Sequence, residues 1–258
     1  MQEYKTLKDL IKMLMLFNTY QCEEKSVTEI AKGLGMLPSK ASRMLGTMEK
    51  DAFLERNHET NKYRLGIRFF ELGMVYAFHL PLRRILRPHI EQMAKEHNMA
   101  ASWGILKNNR VIVVDYVRNM NIDLLAHRIG LNLPVHTTSI GKAMLAYLSE
   151  EEQDNILRSA NLAKLTDASL VDRESIKQNL KLVRERGYST DEGETHVDLN
   201  CIAAPVRDTS GKVIAAINLT AEIKQMSAEA LFELAPYLKE KALFASRQLG
   251  YFSGAAMG

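Results

Sequence analysis

Residues 26–50, SVTEIAKGLGMLPSKASRMLGTMEK, decide how the first part of the chain folds. Ser26 followed three residues later by Glu29 is a capping box. The hydroxyl and the carboxylate each satisfy one amide donor at a helix start, so a short helix is predicted to run to about Gly33. Gly35 marks the turn. Pro38 suits the first turn of a second helix, where its missing N–H has no partner to lose. In that second helix Ala41, Met44, Leu45 and Met48 share one face, while Lys40, Ser42, Arg43 and Thr47 fall largely elsewhere. Two short helices around a glycine turn, with Ala31 as the small residue where they pack, make a helix-turn-helix. The basic second helix suits the major groove of a duplex.

Outward from this stretch, residues 4–20 place Leu7, Leu10, Ile11, Leu14 and Phe17 at helical spacing, which predicts an amphipathic helix before the motif. After it, FLERNHETNKYRLG (53–66) reads as two short strands around the polar turn NHETN, a wing. GIRFFELGMVYAFH (66–79) returns to helical spacing until Pro81. The expected organisation is therefore a winged helix-turn-helix over 1–65, a linker helix over 66–80 and a larger domain over 81–258.

Charge follows the same division. The chain carries a net +3 overall. Residues 32–68 hold eight bases against four acids, a local +4, whereas residues 81–258 hold 22 bases and 21 acids, about +1. The positive field leans toward the part that would meet a polyanion.

The rest of the chain mixes both element types. A helix is predicted over about 82–97. Two strands follow around a Lys107–Arg110 turn, and IDLLAHR (122–128) reads as another strand. Thr138–Leu148 looks helical, Ser149–Glu152 opens a further helix, and residues 172–186 form one that stops at Gly187. Two late strands, 201–208 and 213–220, flank the turn Thr209–Lys212, and a last helix spans about 227–249. An α+β domain with an antiparallel sheet flanked by helices is expected.

Hydrophobic residues make up 46% and charged residues 25% of the chain, as in a globular rather than a disordered protein. No run of eighteen apolar residues offers a membrane span, and the N-terminus lacks the order of a signal peptide, so a cytoplasmic location and no membrane partner are expected. Cys22 and Cys201 match no metal spacing and read as free thiols. No Gly-x-Ser-x-Gly elbow or glycine-rich phosphate loop is present, and His196-x-Asp198 is a weak pair for a metal. Neither an enzymatic activity nor a cofactor is expected. The rival reading is a ligand-binding protein or enzyme without a DNA role.

The chain resembles the IclR-type regulators, the family of the isocitrate lyase regulator, along essentially its whole length. TEIAKGLGMLPSKASRMLGTMEKDAFLER (28–56) and KYRLGIRFFELG (62–73) resemble the family's DNA-binding segment, wing and linker. RIGLNLPVHTTSIGKAMLAYL (128–148), together with RERGYSTDEGE (184–194) and NCIAAPVRDTSGKVIAAINLT (200–220), resembles its two C-terminal signature blocks. The resemblance implies a GAF-like effector domain, a homodimer or homotetramer on operator DNA, and a small organic acid as effector. Two departures stand out. Pro38-Ser39-Lys40 replaces the family's common Lys-Ser-Thr, and Asn218 and Thr220 stand where Ser is usual.

The expected partner is double-stranded operator DNA. Pro38, Ser39, Lys40, Ser42 and Arg43 form the leading part of the recognition helix, with Ser to bond phosphates or base edges and Lys or Arg to bond phosphates or guanine. Arg43 also suits a structural salt bridge. Thr28 and Thr47, and Lys62 and Arg64 on the wing, complete the expected DNA-facing set. For the effector, the resemblance implies Ile122 and Leu125 before the first block, and Leu133, Ser139 and Ile140 within it. Leu199, Cys201, Asn218 and Thr220 follow from the second block. Read from the residues alone, this is an apolar wall with a few polar groups, suited to a small carboxylate. The start of the helix at 138–141 is expected to offer amide donors to that carboxylate, with Gly141 allowing close backbone approach.

Overall fold

The computed structural model describes residues 4–17, 23–118, 129–130 and 132–252. The chain divides into two compact units at Leu80/Pro81, beside the proline that punctuates the sequence.

The first unit opens with α1 (Lys5–Met15), α2 (Val27–Leu34) and α3 (Pro38–Lys50). The capping box of α2 is in place. The Ser26 hydroxyl accepts the Glu29 N–H at 3.2 Å, and the Glu29 carboxylate accepts the Ser26 N–H at 2.7 Å. Gly35 caps α2 at φ 61°, a left-handed conformation that glycine adopts without penalty. β1 (Leu54–Arg56) and β2 (Tyr63–Leu65) pair antiparallel, and Lys25 bridges to Tyr63. Met13, Ile30, Ala31, Ala41, Leu45, Leu54 and Tyr63 form the core. α4 (Ile67–Phe78) closes the unit.

The apolar face of the first helix differs from the expected one. Leu7 and Ile11 are exposed, Leu10 and Leu14 are half-buried, and Met13 and Phe17 are buried. The apolar residues form a wide arc opposite Lys5, Lys8, Asp9 and Lys12, and packing in the first unit's core buries only the Met13–Phe17 side of that arc.

The second unit is a six-stranded antiparallel sheet between two layers of helices. Its strands are β3 (Ala100–Lys107), β4 (Arg110–Val117), β5 (Asn132–Pro134), β6 (Ser189–Glu192), β7 (Leu199–Arg207) and β8 (Val213–Glu222), in the spatial order β5-β4-β3-β8-β7-β6. One face packs on α5 (Pro81–His97), α9 (Ala228–Phe232) and α10 (Ala235–Gln248), around Leu86, Ile90, Met93, Leu238 and the fully buried Trp103. The other packs on α6 (Ser139–Leu145), α7 (Glu150–Ser159) and α8 (Arg173–Arg186), around Ile140, Leu145, Leu157, Leu180 and Val183. Alternation along β8 assigns the faces: Ile217 and Leu219 join the first core and Ala216 the second.

The α+β architecture agrees with the sequence expectation, but three details do not. The single last helix is two, because Pro236 occupies the first turn of α10 and restarts the helix there. The helix expected over 138–148 ends at Leu145. β5 and β6 were not expected: β5 is only three residues long and ends in proline, and β6 is four residues long and wholly polar. The strand expected at IDLLAHR lies outside the described residues.

Candidate nucleic-acid interface and ligand site

Packing of Ala41, Leu45 and Met48 into the first unit's core turns the opposite face of α3 outward. That face carries Pro38, Ser39, Ser42, Arg43 and Thr47, all exposed. The Arg43 side chain forms no ion pair among the described residues, so its charge is available to a partner. Lys40 is held differently: half-buried, it pairs closely with Asp9 on α1. That contact, first through its hydrogen bond and then through charge, holds the Asp9 carboxyl below its ordinary pKa. Thr47 donates its hydroxyl to the Arg43 carbonyl at 3.0 Å, leaving its oxygen as an acceptor. Thr28 is exposed on α2.

On the wing, Arg64 is exposed and pairs across the ladder with Glu55 at 3.1 Å. An exposed pair of this kind contributes little and exchanges readily for phosphate. Lys62 is half-buried. Glu24 anchors the wing turn, accepting from Asn57 at 3.0 Å and Thr60 at 2.9 Å, and these bonds hold its carboxyl below the usual range.

In the second unit a cavity lies between α6 and the sheet. It is lined by Val113, Leu133, Thr138, Ser139 and Ile140 on one side and by Asp191, Thr195, Leu199, Cys201 and Asn218 on the other. Six expected effector residues, Leu133, Ser139, Ile140, Leu199, Cys201 and Asn218, thus meet at one place. Ile122 and Leu125 lie outside the described residues. Thr220 stands behind the wall, in a buried polar chain. Ser102 donates to Asn218, whose amide donates to Thr220 at 3.1 Å and Ser139 at 3.4 Å, and Thr220 donates to the Cys201 sulfur at 3.3 Å. Burial, with the Asp191 carboxylate nearby, pushes the Cys201 thiol well above its ordinary pKa, so it stays protonated.

Gly141 acts otherwise than expected. A Cβ there would lie 2.3 Å from the Val135 carbonyl oxygen, so the glycine is required by a neighbouring backbone turn. Its amide is already taken by the Thr138 hydroxyl at 3.2 Å, and α6 is seven residues long. Of the amides at this helix start, that of Gly141 is therefore held by the Thr138 cap and is not open to a ligand.

Sequence reasoning missed the charged groups beside the cavity. Lys142 is fully buried and pairs closely with Glu194. Asp191 accepts the amides of Glu194 at 2.8 Å and Thr195 at 3.1 Å. Burial pushes the Glu194 carboxyl up to about 7 despite the lysine, and raises Asp191 as well. The stretch STDEGE is a dense run of acids between the charged helix α8 and the apolar strand β7, and that run was its only signal.

A winged helix-turn-helix carried in one chain with a helix-flanked sheet that encloses a small polar-apolar cavity defines a DNA-binding transcriptional regulator of the ligand-responsive kind. Comparison with known proteins gives the particular family. Residues 11–58 match the IclR helix-turn-helix domain, and residues 74–247 match the bacterial transcriptional regulator IclR C-terminal domain. The chain is 30% identical to the HTH-type transcriptional regulator XynR of Escherichia coli over 93% of its own length and 95% of that protein's. It is 29% identical to the transcriptional repressor IclR of Escherichia coli over 81% and 77% of the two chains. The crystal structure of the Thermotoga maritima IclR superposes with a TM-score of 0.71 at 26% identity, covering 95% of this chain and 99% of that one. The chain belongs to the IclR family of bacterial transcriptional regulators.

Proposed function

We propose that this regulator represses its target genes by binding double-stranded operator DNA through the exposed face of α3, and that a small organic acid in the α6 cavity controls the binding. The observation that carries the reading is Arg43, without an ion pair among the described residues, beside exposed Ser39, Ser42 and Thr47 on a helix whose other face is anchored in a core. Such a row combines one phosphate- or guanine-directed cation with short hydroxyls that bond phosphates or base edges. Lys62 and Arg64 would lie along the backbone. Lys40, bound to Asp9, orients α3 on α1 and adds less to DNA affinity. Repression is supported by the printed function of the relatives IclR and AllR, both called repressors.

The cavity supports the effector reading through its composition, apolar walls with Ser139, Asn218 and Thr138 among them. A protein of the same fold, from Microbacterium hydrocarbonoxydans, has been solved complexed with 4-hydroxybenzoate. The cavity here is narrow, about 20 Å3, room for roughly one water. An acid enters only if the walls separate, so it binds a wider arrangement more tightly and shifts the population toward it. The regulator works as a homodimer or homotetramer in the cytoplasm, with α4 residues Phe70, Leu72 and Val75, all exposed, as subunit contacts. It catalyses no reaction.

Mobility-shift titration with the DNA upstream of its own gene tests this, with salt varied. Binding that weakens steeply with salt is expected from phosphate contacts. No shift at low salt, or one unaffected by salt, overturns the reading. Thermal-shift screening of small carboxylic acids then identifies the effector by stabilisation.

A further inference from the structure

α1 brings a row of cations to the flank of the recognition helix. Its sequence, KTLKDLIKMLM, carries Lys5, Lys8 and Lys12 against a single acid, Asp9. Spaced i, i+3 and i+7, the three lysines fall on one stripe of the helix. All three are exposed. Lys5 and Lys12 form no ion pair among the described residues. Asp9 lies at the edge of the stripe, four residues after Lys5 and four before the buried Met13.

Asp9 is committed to α3, where it pairs closely with Lys40. Lys40 stands three residues before Arg43 and seven before Thr47, so it borders the exposed face of α3. The Asp9–Lys40 contact therefore joins the lysine stripe of α1 to the recognition face. Electrostatics agrees with that nearness. The Lys40 hydrogen bond is the first cause that holds the Asp9 carboxyl below its ordinary pKa, and the charges of Lys40, Lys5 and Lys12 add to it.

The stripe does little for the helix that carries it. α1 opens with no side-chain cap and no acid in its first turn. Lys5 there meets the positive end of the helix dipole, where a cation is unfavourable. We propose that the lysine stripe of α1 is a second DNA contact, laid along the phosphates that flank the bases facing α3. The inference rests on the reading of α3 as the helix that meets DNA. A lysine ammonium is a point charge on a flexible stem, which suits phosphate and does not discriminate among bases. Asp9, by holding Lys40, keeps the stripe in register with α3.

Titration of the full-length protein with two duplexes of equal length, followed by fluorescence anisotropy at several salt concentrations, tests the proposal. One duplex is the region upstream of its own gene and the other an unrelated sequence. The double variant Lys5→Gln/Lys12→Gln retains helix propensity at exposed positions, so its melting temperature is expected to match the parent's. It is expected to bind both duplexes about tenfold more weakly, to lower the salt slope by about two units, and to keep the preference between them. An unchanged salt slope overturns the proposal. So does weakening confined to the upstream duplex, which would put the lysines on bases. Arg43→Ala separates the two readings: if it weakens binding and the α1 variant does not, α3 keeps its role and the stripe loses the one assigned to it. Failure of the parent to bind either duplex at low salt overturns both.

Discussion

The outer face of α3 and the inner wall of the α6 cavity are both recognition surfaces, and they are built by opposite means. The face of α3 comes from one continuous stretch, its groups are exposed, and the Arg43 side chain has no ion-pair partner among the described residues. The cavity wall gathers residues from five separate segments, its groups are buried, and its hydroxyls, amides and charges are bonded to one another. A surface that meets a polyanion needs cations kept in water and spare. A surface that meets a small molecule needs its own polar groups satisfied while empty, since unmatched polar groups in a closed space cost stability.

The contrast is sharpest for charge. Removing the cation from the wall by Lys142→Met leaves Glu194 buried and unpaired, and is expected to destabilise the second unit by about 3 kcal/mol. Removing a cation from the exposed face by Arg43→Ala is expected to leave stability unchanged. Thermal unfolding of both variants decides; equal melting temperatures would break the comparison.

Next in size is the response to pH. Glu194 has its pKa raised to about 7 from the ordinary 4.5, so the folded state favours its protonated form. The stability this provides is full below pH 4.5 and is lost as pH rises through about 7. The loss between those limits is expected to be on the order of 3 kcal/mol and to vanish in Glu194→Gln. Asp191, also raised, acts in the same direction. His136, lowered by burial, acts oppositely and loses its contribution as pH falls below about 6.5. Subtracting the Glu194→Gln denaturation curves from those of the parent isolates the glutamate; a flat difference would sink the assignment.

For the exposed face, Arg43→Ala is expected to weaken operator binding by about tenfold and to lower the salt slope by about one unit. Mobility-shift titrations at several salt concentrations measure both. The smallest effect belongs to the frame under that face. Ser26→Ala removes one half of the capping box and is expected to cost about 1 kcal/mol of first-unit stability, read by denaturation.

The same contrast explains what was legible in the sequence. Ser26, Glu29, Gly35 and Pro38 act on backbone within a few residues of themselves, so α2, the turn and α3 could be read locally. β3, β4, β7 and β8 announced themselves as apolar runs, because both faces of the sheet are covered. β6 did not: Ser189–Glu192 is polar, and it is a strand because β7 pairs with it. Asp191 and Thr195 were missed for the same reason, since their burial depends on helices distant in sequence. Asn218 and Ser139 were found through likeness to a family, whereas the Lys142–Glu194 pair joins residues 52 positions apart, with no local sign.

Trp103 is the only tryptophan of the chain and is wholly enclosed in the core of the second unit. Its emission therefore witnesses that half of the molecule alone, while circular dichroism sums the helices of both. Melting curves followed by the two optical signals would coincide if the halves come apart together, and would separate if the DNA-reading half loosens first.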